Sequence, residues 1–123
     1  MKRLLITGGS GFIGSNFIHQ LLADPARDCL AVNADCLTYA ADPANVAACA
    51  ADPRYRFYQA DIRDRSAMAA LFARYDFDTV FNFAAESHVD RSLSAAADFV
   101  STNIGGLQSL LEAARNQWQG DYG

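Results

Sequence analysis

The chain has 123 residues, of which 51% are hydrophobic and 20% are charged, a composition typical of one globular domain and not of a disordered chain. Ten lysines and arginines stand against fourteen aspartates and glutamates, and the net charge of -4 excludes a general basic surface that would attract nucleic acid. Because no run of about 18 apolar residues occurs and only three strongly apolar residues precede the first glycines, we expect a cytoplasmic protein that binds no membrane.

The first predicted element is a buried strand at residues 3–7, which leads directly into a glycine-rich turn. Gly8, Gly11 and Gly14 are spaced three residues apart, and residues 12–23 carry apolar side chains at helical spacing. A strand, a glycine turn and a helix in this order are typical of a dinucleotide site, where the free N–H groups of the helix meet the pyrophosphate. We predict that a side chain at Gly8 or Gly11 would crowd the turn or the ligand, and that one at Gly14 would push the helix off the sheet. A tight turn that binds nothing is the alternative, because three glycines alone are a weak signal.

The second predicted strand, residues 30–34, ends at Asp35, which lies 21 residues after Gly14. A carboxylate at about this spacing accepts hydrogen bonds from the adenosine ribose of NAD and repels the additional phosphate of NADP. No arginine or lysine among residues 36–39 would offset that repulsion. We therefore predict NAD as the cofactor, and a solvated acid at the strand end is the alternative interpretation of Asp35.

The rest of the chain continues to alternate between strand and helix patterns. We predict a poorly formed alanine-rich turn around residues 43–51, strands at residues 55–59 and 79–84, and helices at residues 65–75 and about 95–118. Four strands joined by right-handed crossovers have the spatial order 3-2-1-4. The predicted fold class is therefore α/β, with a Rossmann-like, doubly wound parallel sheet.

Two features predict what surrounds the fourth strand and the last helix. Gly105 and Gly106 would weaken an exposed helix by about 1 kcal/mol each, so we expect them to pack closely against another element. The fourth strand would be an apolar edge, whereas doubly wound domains continue with further strands. We therefore expect residues 1–123 to form a partial NAD-binding Rossmann domain, truncated after the fourth strand and its following helix.

A dense polar cluster follows the fourth strand. In doubly wound sheets the ligand binds where the strand order reverses, which is between the first and fourth strands of this chain. The small Ala84 and Ala85 would let the backbone approach a cofactor, and Glu86, Ser87 and His88 would lie over its reactive end. Two structural alternatives remain, because His88 could be a hydrogen-bonded structural histidine and Ser87 could cap a helix.

The three cysteines do not form a recognisable metal or redox motif. Cys29, Cys36 and Cys49 are separated by 7 and 13 residues, a spacing that matches no zinc site and no disulfide oxidoreductase. We therefore expect reduced thiols with a structural role, of which Cys36 lies nearest a ligand because it follows Asp35.

Seven segments of the chain together carry a family resemblance. They are residues 8–16, 35–40, 54–57, 60–62, 84–92, 102–103 and 110–115. These segments resemble the dTDP-glucose 4,6-dehydratases, which are extended short-chain dehydrogenases/reductases, and the resemblance spans nearly the whole chain. The run Ala-Ala-Glu-Ser-His-Val-Asp-Arg-Ser at residues 84–92 is more specific to nucleotide-sugar dehydratases than the glycine motif is.

The resemblance implies contacts along the whole length of NAD. Phe12 and Ile13 would line the pyrophosphate turn, Asp35, Cys36, Leu37 and Thr38 would hold the adenosine ribose, and Asp61 and Ile62 would flank the adenine. Phe83, Ala84, Ala85, Glu86 and Ser87 would lie along the nicotinamide side, Thr102 would contact the cofactor, and Ser87 and His88 would contact the nucleotide sugar. Because the family commonly has a lysine in place of Cys36, we expect weaker binding of NAD by this chain.

The reaction that the resemblance implies begins and ends with hydride transfer. NAD⁺ oxidises C4 of the glucose unit of dTDP-glucose, water is eliminated across C5 and C6, and the hydride returns to C6 to leave a 4-keto-6-deoxy sugar. The family uses a Thr-Asp-Glu set and a Tyr-x-x-x-Lys pair for this chemistry, and neither occurs in these residues. No catalytic residue is therefore named, no metal is implied, and we expect the isolated chain to be inactive.

Two other functions remain open at this point. One is a related epimerase or dehydratase that acts on a UDP- or GDP-sugar, and the other is a non-catalytic NAD-binding module that uses the helix at residues 95–118 as a partner surface. The resemblance also implies a homodimer, because the family pairs its subunits through helices in this region.

Overall fold

A computed structural model describes residues 1–37, 42–84 and 105–122. The strands are β1 (Lys2–Thr7), β2 (Cys29–Asp35), β3 (Tyr55–Gln59) and β4 (Thr79–Asn82), and the helices are α1 (Phe12–Ala23), a 3₁₀ helix (Pro43–Ala51), α2 (Arg65–Tyr75) and α3 (Leu107–Tyr122). All strand pairs are parallel, and the order across the sheet is β3-β2-β1-β4. The predicted α/β class and the predicted strand order are both confirmed.

The described residues divide into two compact units. The first consists of residues 1–59 and 77–84 and contains the whole sheet, α1 and the 3₁₀ helix. The second contains α2 and α3. The glycine turn and Asp35 both belong to the first unit, so the candidate site can be built from that unit alone.

The core of the first unit lies between one face of the sheet and α1. Leu4 and Ile6 of β1 and Ala31 of β2 pack there with Ile18 and Leu21 of α1. The intervening residues of the two strands are also buried, so the central strands are covered on both faces. This burial explains why β1 and β2 appear in the sequence as continuous apolar runs.

Arg54 holds the end of α1 against the start of β3. Its guanidinium donates to the main-chain carbonyls of Leu22 and Asp24, each at 2.8 Å, and to that of Arg27 at 3.1 Å. Carbonyls at a helix C-terminus lack partners within the helix, so Arg54 satisfies groups that would otherwise need water. Asp52 completes the arrangement, because its carboxylate accepts from the Arg54 Nη2 at 2.8 Å.

The 3₁₀ helix is attached to both the glycine turn and α1. Asp42 caps it by accepting from the Ala44 N–H at 2.9 Å, and Asn45 Nδ2 donates to the Ser10 carbonyl at 2.8 Å. His19 Nε2 donates to the Asn45 carbonyl at 2.6 Å. The predicted segment at residues 43–51 is therefore regular structure, although with 3₁₀ and not α-helical geometry.

Two other predicted boundaries differ from the structure. β4 ends at Asn82, two residues before the predicted end, and α3 extends to Tyr122 instead of stopping near residue 118. The predicted start of the last helix, residues 95–104, lies outside the described residues.

Helices α2 and α3 form the second unit. Asp64 caps α2 by accepting from the Ala67 N–H at 3.0 Å. An added Cβ on Gly106 would lie 2.5 Å from Ile62 Cδ1, so the predicted close packing is confirmed there. It is wrong for Gly105 as far as the described residues are concerned, since none of their atoms lies within 4 Å of an added Cβ.

Candidate functional site

Gly8 is the position where the chain requires a glycine for conformational reasons. Its φ is +69°, in the left-handed region, and a Cβ there would lie 2.5 Å from the carbonyl carbon of Phe83 and 2.6 Å from the Ala84 nitrogen. The Gly11 N–H donates to the Gly8 carbonyl at 3.2 Å and closes the turn. The prediction that a side chain would crowd the turn at Gly8 is confirmed, and the crowding comes from the backbone that follows β4.

An added side chain would have different effects at Gly14 and at Gly11. A Cβ on Gly14 would collide with the Gly8 carbonyl oxygen and lie 2.8 Å from the Gly9 Cα. A side chain would therefore displace α1 from the turn that directly follows β1, and the displacement of α1 from the sheet itself stays a prediction. Gly11 has ordinary extended backbone, with φ -76° and ψ 177°, so crowding of a ligand there stays a prediction.

The N-terminus of α1 presents three N–H groups without a partner inside the helix. Gly11 occupies the cap position, no side chain among the described residues caps this end, and the first bond runs from the Ser15 N–H to the Gly11 carbonyl at 2.9 Å. Among the described residues, no acceptor contacts the N–H groups of Phe12, Ile13 and Gly14. N–H groups at this position, together with the positive end of the helix dipole, are of the kind that can bind an anion.

The side chains at the same end of α1 are exposed. Phe12 is 79% exposed and Ile13 is 67% exposed, although both are large and apolar. Neither contributes to the core between α1 and the sheet. Their predicted contact with the pyrophosphate turn of a cofactor stays a prediction.

Asp35 lies behind the turn and not in solvent. Its side chain is buried, one carboxylate oxygen accepts from the Ser10 N–H at 2.9 Å, and the other accepts from the Leu37 N–H at 2.8 Å. The alternative of a solvated acid is therefore wrong. Because each carboxylate oxygen has a further lone pair, Asp35 can still accept a hydrogen bond from a ribose hydroxyl.

Leu37 has an unusual backbone conformation beside this carboxylate. Its φ is 58°, in the left-handed region, which costs a residue with a Cβ about 1 to 2 kcal/mol. The bond from its N–H to Asp35 holds the residue in this conformation. The strand end is thus turned sharply at the point where the adenosine ribose is predicted, with Cys36 half-buried beside it.

Gly9, Asn33 and Tyr55 are residues of this site that the sequence reasoning missed. The Gly9 N–H donates to Asn33 Oδ1 at 3.0 Å, and Asn33 Nδ2 donates to the Tyr55 hydroxyl at 3.0 Å. Burial raises the pKa of Tyr55, so its hydroxyl stays protonated at neutral pH. The available signal was a polar side chain at an inward position of an otherwise apolar strand.

The end of β4 is joined to the end of β1. The Thr7 hydroxyl donates to Asn82 Oδ1 at 2.5 Å, and the Phe83 N–H donates to the Thr7 carbonyl at 2.8 Å. The ring of Phe83 packs against Phe17 of α1, with 5.5 Å between ring centroids. Phe83 therefore places its backbone, and not its ring, beside the glycine turn. Ala84 follows, and its N–H donates to Asn82 Oδ1 at 3.3 Å.

Asp61 and Ile62 belong to the second unit. Hydrogen bonds from the Arg63 side chain lower the pKa of Asp61, and the Arg63 Nη2 lies 2.6 Å from its carboxylate. The side chain of Ile62 is buried beneath Gly106. Their contact with an adenine stays a prediction. Six further predicted site residues lie outside the described residues: Thr38, Ala85, Glu86, Ser87, His88 and Thr102.

Three further observations on the described parts of the chain concern metal binding, membrane crossing and nucleophilic catalysis. In residues 1–37, 42–84 and 105–122, no group of three or more histidine, cysteine or acidic side chains could hold a metal ion. In the same ranges no helix combines the length and the apolar character needed to cross a bilayer. Burial raises the pKa of the Cys49 thiol, and the nearby Asp52 raises it further, so this cysteine is not an activated nucleophile.

A family model described as GDP-mannose 4,6 dehydratase matches residues 5–122 of the chain. The chain belongs to this family. One curated relative of the chain is a dTDP-glucose 4,6-dehydratase of Neisseria meningitidis. It is 48% identical over 119 residues, and the alignment covers 97% of the chain and 33% of the relative. The low-salt glycan biosynthesis protein Agl12 of Haloferax volcanii is 52% identical over 111 residues, 90% of the chain and 34% of that protein.

A solved structure gives the same result. DesIV, a dTDP-glucose 4,6-dehydratase from Streptomyces venezuelae crystallised with NAD and TYD bound, matches the family member with a TM-score of 0.87 and 47% identity, over 94% of this chain and 36% of DesIV. The resemblance expected from the sequence is therefore confirmed. The chain spans about a third of the length of the curated relatives that it matches.

Proposed function

We propose that this chain binds NAD at the turn between β1 and α1 and forms the cofactor-binding part of a dTDP-glucose 4,6-dehydratase. The observation that carries the proposal is the set of three N–H groups at residues 12–14, which lie next to the Gly8 turn with Asp35 behind it. The relative that is 48% identical and named dTDP-glucose 4,6-dehydratase supports the choice of substrate.

Each half of the site would recognise a different part of the cofactor. The N–H groups of Phe12, Ile13 and Gly14 would donate to the pyrophosphate, and Asp35 would accept from the adenosine ribose. The negative charge of Asp35 favours NAD over NADP, whose extra phosphate it would repel. When bound, NAD supplies the acceptor for a hydride.

The remaining assignments extend the site towards the sugar. We propose that Glu86 and Ser87 lie along the nicotinamide, that Thr102 contacts the cofactor, and that Ser87 and His88 contact the nucleotide sugar. The sequence contains one lysine, Lys2, so no Tyr-x-x-x-Lys pair occurs in it. We therefore propose that these residues form a partial Rossmann domain that binds NAD and has no dehydratase activity by itself.

Proline substitution at the first position of α1 tests the anion site directly. Phe12→Pro removes one N–H while keeping a residue that helices accept at this position, and Phe12→Ala removes the same ring while keeping the N–H. A hydrogen bond to a charged group contributes about 1.5 to 3 kcal/mol, so we expect Phe12→Pro to bind NAD about 10- to 100-fold more weakly than Phe12→Ala in calorimetric titrations. Equal affinities of the two variants would contradict the role of the helix N-terminus.

The melting temperature of the unaltered chain with NAD and with NADP tests the choice of cofactor. A ligand that binds only the folded state raises the melting temperature, so millimolar NAD should raise it and NADP should raise it less. The absence of a shift with NAD would refute the proposed cofactor site. Formation of a 4-keto sugar from dTDP-glucose and NAD would refute the proposal that catalytic groups are missing.

A second candidate is a dehydratase for another nucleotide sugar, and the description of the matching family as GDP-mannose 4,6 dehydratase favours considering it. Saturation-transfer NMR with dTDP-, UDP- and GDP-sugars in the presence of NAD would separate the two candidates. We also propose a cytoplasmic homodimer. The three cysteines, which are all thiols, are consistent with a reducing compartment, and light scattering would measure the subunit number.

A further inference from the structure

We propose that Asn33 is a positioning residue, which sets the conformation of the glycine turn so that the N–H groups of α1 face the pyrophosphate. The inference rests on the proposed NAD site. Asn33 itself would not touch the cofactor, because its side chain is fully buried in β2 behind the turn. It would act through Gly9 and Ser10.

Burial and hydrogen bonding fix the orientation of the Asn33 amide. A buried amide is costly unless its polar atoms are bonded, and here both of them are. The Gly9 N–H can only donate, so the oxygen of the amide must face it, at 3.0 Å. The nitrogen of the amide then donates to the Tyr55 hydroxyl at 3.0 Å and to the Ser10 hydroxyl at 3.3 Å.

These bonds determine which N–H groups of the turn are available to a ligand. The Gly9 N–H is directed to Asn33 and the Ser10 N–H to Asp35, so both face the interior of the protein. The Ser10 carbonyl is held from the other side by the Asp42 N–H at 3.1 Å and by Asn45. With this part of the turn fixed, the chain enters α1 at a defined angle, and no described residue accepts from the N–H groups of residues 12–14.

The fit between Gly9 and Asn33 is close enough to make the pair specific. A Cβ on Gly9 would collide with the Asn33 amide and lie 2.5 Å from Ile18 Cδ1. No other residue type at position 9 allows the amide to approach the backbone in this way. Without Asn33, the Gly9 N–H would be a buried donor with no partner, and the turn would have to change its conformation to satisfy it.

The experiment compares Asn33→Leu with Val32→Ala. Leucine is similar in size to asparagine but offers no hydrogen bond. Val32 is also fully buried in β2, and because successive side chains of a strand point to opposite faces, its loss destabilises the sheet without touching Gly9. Two quantities are measured at a temperature where every variant is folded: the Kd for NAD and the hydrogen-exchange rate of the Gly9 amide by NMR.

We expect Asn33→Leu to raise the Kd for NAD at least tenfold and to speed exchange at Gly9 at least tenfold, whereas Val32→Ala changes both less than threefold. Tyr55→Phe keeps the bond between Gly9 and Asn33, so it should change the Kd less than threefold as well. If Asn33→Leu does not fold, Asn33→Ser replaces it, because serine is too short to reach Gly9 and should show the same two changes.

The outcomes separate this inference from the proposed function. If the unaltered chain binds NAD and Asn33→Leu (or Asn33→Ser in its place) binds it equally well, the positioning role is refuted and the cofactor site stands. If the unaltered chain does not bind NAD, the proposed function fails, and the rate at Gly9 still decides whether Asn33 controls the turn. Equal exchange rates in the Asn33 and Val32 variants would overturn the inference.

Discussion

Replacement of Gly8 by alanine tests the structural basis of the turn. The φ of +69° costs an alanine about 1 to 2 kcal/mol relative to glycine. Its Cβ would also lie 2.5 to 2.6 Å from the backbone of Phe83 and Ala84, and backbone shifts of this kind cost about 1 to 3 kcal/mol. The two effects together predict a loss of about 2 to 5 kcal/mol in the free energy of unfolding.

For a chain of this length, a loss of that size lowers the melting temperature by about 8 to 20 °C. Urea denaturation followed by circular dichroism would measure the free energy, and scanning calorimetry the temperature. Gly105→Ala is the matched control, because no described atom lies within 4 Å of its added Cβ, and it should be neutral or slightly stabilising. A Gly8→Ala variant within about 0.5 kcal/mol of the unaltered chain would refute both the assigned backbone conformation and the contact with the end of β4.

Single contacts of Asp52, Cys36 and Phe17 lead to measurable effects. Hydrogen bonds from Arg54 lower the pKa of Asp52 in the folded state. The ionised carboxylate therefore stabilises the fold at pH values above its unfolded pKa of about 3.9, and this stabilisation is lost as the pH falls through its lower pKa in the folded state. Urea titrations from pH 6 to pH 3 should therefore show a smaller loss of stability for Asp52→Asn than for the unaltered chain. Cys36, which is half-buried, should react with Ellman's reagent before the two buried cysteines, and NAD should slow its reaction. Phe17→Leu removes ring contacts at 4.6 and 5.5 Å and should lower the free energy of unfolding by about 1 to 2 kcal/mol in urea denaturation.

A specific result would contradict each of these three expectations. Parallel pH curves for Asp52→Asn and the unaltered chain would show that the ion pair with Arg54 is not coupled to folding. Equal rates for all three thiols would contradict the burial of two of them. If Phe17→Leu is as stable as the unaltered chain, the aromatic contacts of Phe17 with Phe81 and Phe83 contribute nothing beyond the volume that leucine also fills.

The location of β1 and of the acid after β2 could be predicted because the relevant information lies in the sequence pattern itself. Leu4, Leu5 and Ile6 are buried on both faces of a parallel sheet, so β1 appears as an uninterrupted apolar run followed by glycines. The carboxylate at residue 35 was likewise placed by its distance along the chain from the glycine turn. Both signals depend on residues that are near one another in sequence.

What could not be predicted depends on partners that are distant in sequence. Asn33 is an ordinary polar residue until the fold brings Gly9 and Tyr55 to it, and Arg54 becomes a helix-end partner only because β3 begins beside the end of α1. The left-handed conformation of Leu37 is similarly imposed by a neighbouring carboxylate, against the preference of the residue itself. Such contacts decide the geometry of the candidate site, and a spacing rule carries no information about them.

No side chain of the described residues caps α1, and this affects how the stability of the protein depends on its solution. A serine, threonine, asparagine or aspartate at the cap contributes about 1 kcal/mol to many helices relative to alanine, and glycine, which stands here at Gly11, forgoes about a few tenths of a kcal/mol of that contribution. An anion bound as proposed would interact with this same helix end, so folding and anion occupancy would be thermodynamically linked. We therefore expect the sequence to be more stable in a phosphate-rich solution than in a purified, anion-poor buffer.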